Sequence, residues 1–224
     1  MDKKKIKVMT IFGTRPEAIK MAPIVLELKK HEVIKPVVAV TAQHREMLDQ
    51  VLSLFQIKPD YDLDIMQAGQ TLFDITAKAL CGLDAVLTKE EPDIVLVHGD
   101  TTTTFAGALA AYYHQTTVGH VEAGLRTHHK YSPFPEEMNR HLTGCIADMN
   151  FAPTETSERN LLLEHADASS IFITGNTVID ALHHTVREDY VFADAALKDV
   201  DFEHKRVVLV TTHRRENLGE PMRH

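Results

Sequence analysis

Cysteine and basic residues are both in short supply in this sequence. Only Cys81 and Cys145 are present, far apart and without CxxC spacing, so we expect buried or idle thiols in a reducing compartment rather than a disulfide or a zinc site. The 24 Lys and Arg residues face 32 Asp and Glu, which gives a net charge of −8. Because a phosphate backbone attracts basic surfaces, this balance argues against nucleic acid as the main partner.

Membrane, targeting and common cofactor signals are missing as well. No apolar run approaches the roughly 20 residues of a membrane-spanning helix, and the opening MDKKKIKVMTIFG contains no small-residue cleavage site. We therefore expect a cytoplasmic protein without a membrane partner. The chain has neither GxGxxG nor GxxxxGKS/T, so no nicotinamide cofactor is predicted. Adjacent histidines such as His183 and His184 do not share a helix face, which argues against a metal site.

What the sequence does contain is an alternation of short β-branched runs with helical patterns. With 44% hydrophobic residues the chain can bury a sizeable core. Buried strands are predicted at 6–12, 36–42, 93–99, 116–121, 149–153, 170–175 and 205–211. Amphipathic helices are predicted at 16–30, 45–55, 72–89, 103–113, 136–147, 156–165 and 178–188. Such alternation predicts βαβ units and an α/β fold with a doubly wound parallel sheet.

The same pattern predicts two domains of unequal length. Residues 1–175 would form an N-terminal Rossmann-like domain, and residues 176–224 would supply a connecting helix and the opening strand of a second one. An apolar strand such as 205–211 needs neighbours that cover both of its faces. No later residues supply them, so we expect the second domain to be truncated.

Acidic residues stand where three hydrophobic segments give way to polar loops. They are Asp100 in IVLVHGDTTTT, Glu122 in TVGHVEAGLRT and Glu136 in YSPFPEEMNRH. Loops at the carboxyl ends of parallel strands gather along one crevice, where ligands bind, so these carboxylates should converge. Carboxylates in different environments can divide acid and base roles. Glu137 is the better candidate for an ordinary first-turn glutamate, since adjacent helical positions point in different directions.

Basic side chains are predicted at the same edge of the sheet. The segment IFGTRPEAIK brings Arg15 and Lys20 to a helix start, where unpaired N–H groups and a partial positive charge favour anions. An exposed arginine beside a capped helix is the plain alternative. Arg126 and Arg140 would hold the carboxylates or bind substrate. Cations beside carboxylates indicate an anionic substrate.

Two further loops carry weaker signals. In HGDTTTT the threonines 101–104 would cap the next helix, while Asp100 would orient a base or accept a sugar hydroxyl. In THRREN, His213 could donate to a phosphate or act as a general acid, with Arg214 as an anion partner. A single histidine is more often structural.

A resemblance to the non-hydrolysing bacterial UDP-N-acetylglucosamine 2-epimerases rests on seven segments. They are GTRPEAIKMAP, TAQHREMLDQVL, VHGDTTTTFAGALAA, GHVEAGLRT, YSPFPEEMNRHLTG, FITGNTVIDAL and THRRENLGEP. The chain resembles the N-terminal portion of such an enzyme. The resemblance implies two Rossmann-like domains in the GT-B arrangement, a substrate cleft between them, a homodimer and no cofactor. The chain alone is then expected to be inactive.

The resemblance implies reversible epimerisation at C2 between UDP-N-acetylglucosamine and UDP-N-acetylmannosamine. UDP would be eliminated to give 2-acetamidoglucal and then added back, supplying N-acetylmannosamine for cell-surface polysaccharide. By matching motif, the catalytic residues would be Asp100, Glu122, Glu136 and His213, with Glu122 or Asp100 favoured for proton transfer at C2. The substrate-binding residues would be Arg15, Lys20, His44, Arg126, Arg140 and Arg214.

Regulation and alternative activities follow from the same resemblance. Some family members are activated by their own substrate through a Gln-His-Arg segment, which corresponds here to Gln43, His44 and Arg45. A hydrolysing 2-epimerase would release N-acetylmannosamine and UDP, and a GT-B glycosyltransferase would need an acceptor site. A non-catalytic nucleotide-sugar-binding module would bind UDP without exchange at C2. Product identity and C2 exchange separate these alternatives.

Overall fold

The computed structural model describes residues 5–42 and 45–210 of the chain. Within these residues the strands are β1 (Ile6–Phe12), β2 (Ile34–Val40), β3 (Tyr61–Asp62), β4 (Ile94–His98), β5 (Thr117–Val121), β6 (Met149–Ala152) and β7 (Ile171–Ile173). The α-helices are α1 (Arg15–Leu28), α2 (Arg45–Leu54), α3 (Leu72–Glu90), α4 (Thr102–Tyr113), α5 (Glu136–Ile146), α6 (Glu155–Leu163), α7 (Val178–Thr185) and α8 (Ala195–Lys198). No helix of the described part is long and apolar enough to cross a membrane.

The strands form one parallel sheet in the order β3-β2-β1-β4-β5-β6-β7. From β1 the chain runs outward to β2 and β3, and it then returns to place β4 on the other side of β1. The order therefore reverses between β1 and β4, and a crevice opens there at the carboxyl ends of the strands. The predicted doubly wound, Rossmann-like α/β fold is confirmed.

Helices cover both faces of the sheet, and β1 illustrates why its sequence is almost wholly apolar. Val8 and Phe12 pack with α1 and α2 on one face, while Met9 and Ile11 pack with α3 and α4 on the other. Successive side chains of a strand point to opposite faces, so a strand buried on both sides shows no polar alternation. The small residues of α4 let that helix approach closely, since a Cβ at Gly107 would lie 3.1 Å from Val97.

Two short elements escaped prediction, and one predicted strand is absent. The two-residue β3 is too short to show an alternating pattern, and the four-residue α8 is too short to show a helical pattern. The strand predicted at 205–211 is not formed in residues 205–210, the described part of that segment, where Leu209 is 93% exposed. A strand requires hydrogen-bonded neighbours, and no described residue pairs with this segment. Cys81 and Cys145 are free, as predicted, but both are exposed rather than buried.

The chain divides into two units, Met1–Thr185 and Val186–His224. The first contains the sheet and α7, because Ala181 joins the core that α1 and α2 share. In the second, the rings of Phe192 and Phe202 stack with centroids 5.2 Å apart. The domain division after residue 175 stays a prediction about the whole protein.

Gly124, just after β5, occupies a position that only glycine fits. Its φ is +84°, and a Cβ would lie 2.2 Å from the carbonyl oxygen of Ser157 on α6. We expect Gly124→Ala to lower the free energy of unfolding by about 2 to 4 kcal/mol, from left-handed strain plus overpacking. Gly69 is the matched control, since it has a φ of +73° but no atom lies within 4 Å of the position that its Cβ would occupy. Urea denaturation of both alanine variants measures the difference, and equal losses would contradict the packing argument.

Candidate active site

A cavity of about 450 Å³ opens at the carboxyl ends of β1, β4 and β5. Six of the predicted site residues line it: Arg15, Lys20, Asp100, Glu122, Glu136 and Arg140. They come from the loops after the strands and from the first two turns of α1 and α5. The crevice at the reversal of strand order therefore brings three carboxylates and three cations together.

A larger cavity of about 620 Å³ lies beside α5 and α6 but lacks this convergence. Its carboxylates are already engaged within the fold. Asp148 accepts from the Val118 N–H, Asp167 from the Ser169 N–H, and Glu164 pairs with Arg126. We therefore place the functional site in the smaller cavity.

Glu122 is held by two side chains in a strained backbone conformation. Its φ is +61°, a left-handed value that is costly for a residue with a Cβ and is often found at functional sites. Lys20 Nζ lies 2.6 and 2.7 Å from the two carboxylate oxygens, and Asn176 Nδ2 donates to Oε1 at 2.7 Å. Thr177 donates to the Lys20 carbonyl at 2.6 Å, so the turn before α7 supports both members of the ion pair.

Asp100 is tied to α5 through Arg140. The Arg140 guanidinium donates to Asp100 Oδ2 and, at 3.1 Å, to Glu137 Oε2. Asn139 Nδ2 donates to the Asp100 carbonyl at 2.9 Å. These contacts fix the start of α5 against the loop between β4 and α4. Arg140 thus holds a carboxylate, which is one of the two roles that the sequence predicted for it.

Two charged groups of the pocket have no partner. The Oε2 atom of Glu136 is buried without a hydrogen bond to any described residue. Arg15 is exposed, and within the described ranges its side chain forms no ion pair or hydrogen bond. Within the described residues, neither the Glu136 Oε2 atom nor the Arg15 guanidinium is therefore engaged by another protein group.

Glu137 is not the ordinary first-turn glutamate that its position suggested. It is 1% exposed and accepts hydrogen bonds from the N–H groups of Thr127 and His128. Burial acts to raise the pKa of Glu137, but these hydrogen bonds and the one from Arg140 hold the pKa below its usual value. Its neighbour Glu136 faces the cavity, so the two glutamates do point in different directions as predicted.

The start of α1 differs from the expected anion site with free N–H groups. The Glu17 carboxylate accepts from the Gly13 N–H at 3.0 Å and from the Thr14 N–H at 2.7 Å. A Cβ at Gly13 would lie 2.0 Å from Thr41 Oγ1, so only glycine fits this turn. Because the protein's own carboxylate occupies these two donors, an anion in the cavity must be bound mainly by side chains.

Several predicted site residues do not come together here. Arg126 lies outside the cavity because its Nε and Nη2 atoms bind both oxygens of Glu164, at 2.7 and 2.6 Å. Arg45 forms an ion pair with Asp62 at the end of β3 and does not line the cavity. Gln43, His44, His213 and Arg214 lie outside the described residues.

The sequence reasoning missed two buried histidines: His98, which lines the cavity, and His120, which contacts Gly99 in the loop after β4. His98 lines the cavity, and its Nε2 lies 3.2 Å from Glu122 Oε2, although neither ring nitrogen has an aligned hydrogen-bond partner among described residues. His120 lies 2.7 Å from the Gly99 carbonyl through Nε2. A signal existed, because each histidine stands two positions before a predicted catalytic acid, at or next to the end of its strand.

Burial keeps both histidines neutral. Burial lowers the pKa of His98 to about 3, and the positive charge of Lys20 acts in the same direction. Burial also lowers the pKa of His120 to about 4, although its hydrogen bond to the Gly99 carbonyl acts to raise that pKa. The usual histidine pKa is about 6.5. Between the folded and unfolded pKa values the unfolded state binds more protons. The stability that each neutral histidine contributes is therefore fully present above about pH 6.5, and it is lost as the pH falls toward the pKa of that histidine in the folded protein.

This linkage predicts the pH dependence of stability. Each buried histidine should contribute a slope of up to about 1.4 kcal/mol per pH unit below about pH 6.5. We expect His120→Gln, which keeps an N–H donor for the Gly99 carbonyl, to flatten the loss of stability between about pH 6.5 and about pH 5. Urea denaturation of the wild type and the variant across this range gives the two slopes. Parallel slopes would mean that His120 is not held neutral by the fold.

Known proteins are similar to nearly the whole of this chain. The family model described as UDP-N-acetylglucosamine 2-epimerase matches residues 26–224. The UDP-N-acetylglucosamine 2-epimerase of Bacillus subtilis is 64% identical over 219 residues, which make up 98% of this chain and 57% of the relative.

Solved structures are similar over the same part of the chain. The S. aureus MnaA–UDP co-structure matches with a TM-score of 0.87 and 54% identity, over 97% of this chain and 56% of that one. The UDP-GlcNAc 2-epimerase from Neisseria meningitidis bound to UDP-GlcNAc matches with a TM-score of 0.78 and 60% identity, over 80% and 48%. The chain spans 57% of the length of the Bacillus subtilis relative. By sequence and fold, the chain belongs to the UDP-N-acetylglucosamine 2-epimerase family.

Proposed function

We propose that the protein is an isomerase that interconverts UDP-N-acetylglucosamine and UDP-N-acetylmannosamine at C2 without releasing the free sugar. One observation supports this most directly: the predicted carboxylates Asp100, Glu122 and Glu136 line a single cavity together with three cations, at the strand-order reversal of a chain of this family. The cations suit a diphosphate, and the carboxylates suit proton transfer at the sugar. The named relatives that bind UDP-GlcNAc and UDP support the same ligand class.

An elimination and re-addition fits these groups. The C2 proton beside an N-acetyl group is barely acidic, so direct deprotonation would be slow. In the proposed step a carboxylate removes the C2 proton, the electron pair forms the C1=C2 bond, and the C1–O bond breaks with its electrons passing to the diphosphate of UDP. The reverse step returns a proton to the opposite face of C2 and re-forms the C1–O bond.

The contacts of the carboxylates suggest how they divide this work. Glu122 and Asp100, which the sequence favoured for proton transfer at C2, are each bound to a cation. Glu136 has an oxygen without a partner, so it can accept a proton without breaking an ion pair. We propose that Glu136 and one ion-paired carboxylate serve the two faces of C2.

The cations would stabilise the leaving diphosphate. Arg15 has no partner to displace within residues 5–42 and 45–210, and it presents a planar fork that can bind a phosphate through two hydrogen bonds. Lys20 and Arg140 add positive charge at the same cavity. Charge that develops on the diphosphate oxygen as the C1–O bond breaks would meet donors already in place, which is the condition for electrostatic catalysis.

Three expectations from the sequence remain proposals for the whole protein. They are a homodimer, a cytoplasmic location, and activation by substrate through Gln43, His44 and Arg45. Arg45 would have to exchange its ion pair with Asp62 for a contact with a second nucleotide sugar. Sedimentation of the full-length protein with and without UDP-N-acetylglucosamine tests the homodimer. A rate assay at rising substrate concentration tests activation by substrate.

Proton NMR of UDP-N-acetylglucosamine in D₂O with the full-length protein tests the proposed reaction. Formation of UDP-N-acetylmannosamine deuterated at C2 is the expected result, because the returning proton comes from solvent. Release of free N-acetylmannosamine would instead assign a hydrolysing 2-epimerase. UDP binding without any exchange at C2 would assign a nucleotide-sugar-binding module.

A further inference from the structure

Glu17 is a buried acid for which the proposed reaction has no role. Its side chain is 2% exposed and lies in the wall of the cavity. Among the described residues no Lys or Arg pairs with it. A buried carboxyl group without a cation is costly unless hydrogen bonds satisfy its oxygens, so its contacts indicate why it is there.

The two oxygens of Glu17 bind two different loops. Oε2 accepts from the backbone N–H groups of Gly13 and Thr14, in the loop between β1 and α1. Oε1 accepts from the hydroxyl group of Thr101 at 2.7 Å, after β4, and lies 3.1 Å from the hydroxyl oxygen of Thr104, which also contacts the His98 carbonyl. One carboxyl group therefore bridges the strand-order reversal, which lies between β1 and β4.

Each of these loops carries a residue of the proposed reaction. Arg15 directly follows Thr14, and Asp100 directly precedes Thr101. We propose that Glu17 is a positioning residue, whose carboxyl group fixes the loop that bears Arg15 against the loop that bears Asp100. This inference rests on the proposed function, because that function assigns Arg15 to the diphosphate and Asp100 to the sugar.

The bridge depends on hydrogen bonding rather than on charge. Burial raises the pKa of Glu17, although the hydrogen bonds from Thr101, Gly13 and Thr14 act in the opposite direction. A negative charge here would also repel a diphosphate in the same cavity. In Glu17→Gln the amide oxygen can still accept from the two N–H groups, and the amide NH₂ can donate to the threonine hydroxyls. In Glu17→Leu both connections are lost.

Steady-state kinetics of the full-length protein test the bridge. We expect Glu17→Leu to lower kcat/KM for epimerisation by about 10²-fold, because a shift of about 1 Å in a positioned group can have that effect. Glu17→Gln should stay close to the wild type. Wild-type kinetics in Glu17→Leu would overturn the proposal, as would a loss in Glu17→Gln as large as that in Glu17→Leu.

A double-mutant cycle on UDP affinity separates positioning from simple stabilisation. Arg15→Ala should weaken UDP binding in the wild type, as measured by calorimetry. In the Glu17→Leu background the same change should have a smaller effect, since Arg15 is no longer held in place. Additive effects of the two substitutions would mean that Glu17 only supports the fold.

A second pair of variants and the activity of the wild type distinguish failure of the Glu17 proposal from failure of the proposed function. If Glu17→Leu does not fold, Thr101→Val removes one donor from the other loop, with Thr101→Ser as its hydroxyl-retaining control. A loss of kcat/KM only in Thr101→Val supports the bridge, and equal activity overturns it. A wild-type protein that neither binds UDP nor exchanges C2 hydrogen would defeat the proposed function itself, whereas an active wild type with unaffected variants defeats only the role of Glu17.

Discussion

Glu136→Gln is expected to lower the kcat of epimerisation by about 10² to 10⁴-fold while the protein stays folded. The substitution keeps the size of the side chain but removes its capacity to take up a proton. Glu136 forms no ion pair, and its Oε2 atom has no hydrogen-bond partner in the described structure, so no structural contact is lost. The exchange of solvent deuterium into C2 measures the effect directly, and circular dichroism checks the fold.

Glu122→Gln should lower kcat as strongly as Glu136→Gln does, and here the loss of an ion pair adds to the loss of proton transfer. The amide can still accept one hydrogen bond, yet it no longer balances the charge of Lys20, which lies 2.6 Å from the carboxylate. Glu27→Gln is the matched control, because Glu27 is an exposed glutamate of α1 whose only partners are at the surface. Normal turnover in either Glu136→Gln or Glu122→Gln would defeat the assignment of that carboxylate to catalysis.

Lys20→Met is expected to affect both stability and ligand binding. Lys20 and Glu122 are 23% and 10% exposed, so removal of the cation leaves a mostly buried carboxylate without its charge partner. Breaking such a pair costs about 3 kcal/mol. Loss of a charge-assisted hydrogen bond should also weaken UDP binding at least about tenfold. Urea denaturation and calorimetric titration with UDP measure the two effects.

The same substitution at the surface provides the control. Lys30 lies just beyond α1 and pairs with Glu27, and their side chains are 69% and 57% exposed. An exposed pair of this kind contributes between about 0 and 1 kcal/mol. Lys30→Met should therefore change neither stability nor UDP affinity appreciably. Equal effects of Lys20→Met and Lys30→Met would show that the cavity ion pair has no special role.

Most of the sheet was predictable because its strands are buried on both faces. Runs such as 6–12 and 93–99 have mostly apolar centres without a polar alternation, and helical spacing separates them, which leaves few alternatives to a parallel α/β sheet. The pattern failed where an element is too short to have a period, as in β3 at Tyr61–Asp62. It also failed at 205–210, since an apolar run becomes a strand only where another strand can pair with it.

The candidate site was predictable in position but only partly in its contacts. Loops that follow parallel strands must lie at one edge, so Asp100, Glu122 and Arg15 could be placed together from sequence. Sequence could not distinguish Arg126 from Arg140, because both stand near acidic segments. Only the packing of α6 gives Arg126 a bidentate partner in Glu164, whereas α5 turns Arg140 toward Asp100.

The sequence by itself determined the fold class, the edge of the sheet where the candidate site lies and the residue types that meet there. These properties follow from hydrophobic periodicity and chain direction, both of which are local. Which acid is free, which is paired and which is buried was decided by tertiary structure alone. Glu17, Glu136 and Glu137 all begin helices, yet one bridges two loops, one faces the cavity with an open oxygen and one holds a neighbouring loop. The chemistry of a carboxylate depends on the donors that distant segments bring to it, and the local sequence does not contain those donors.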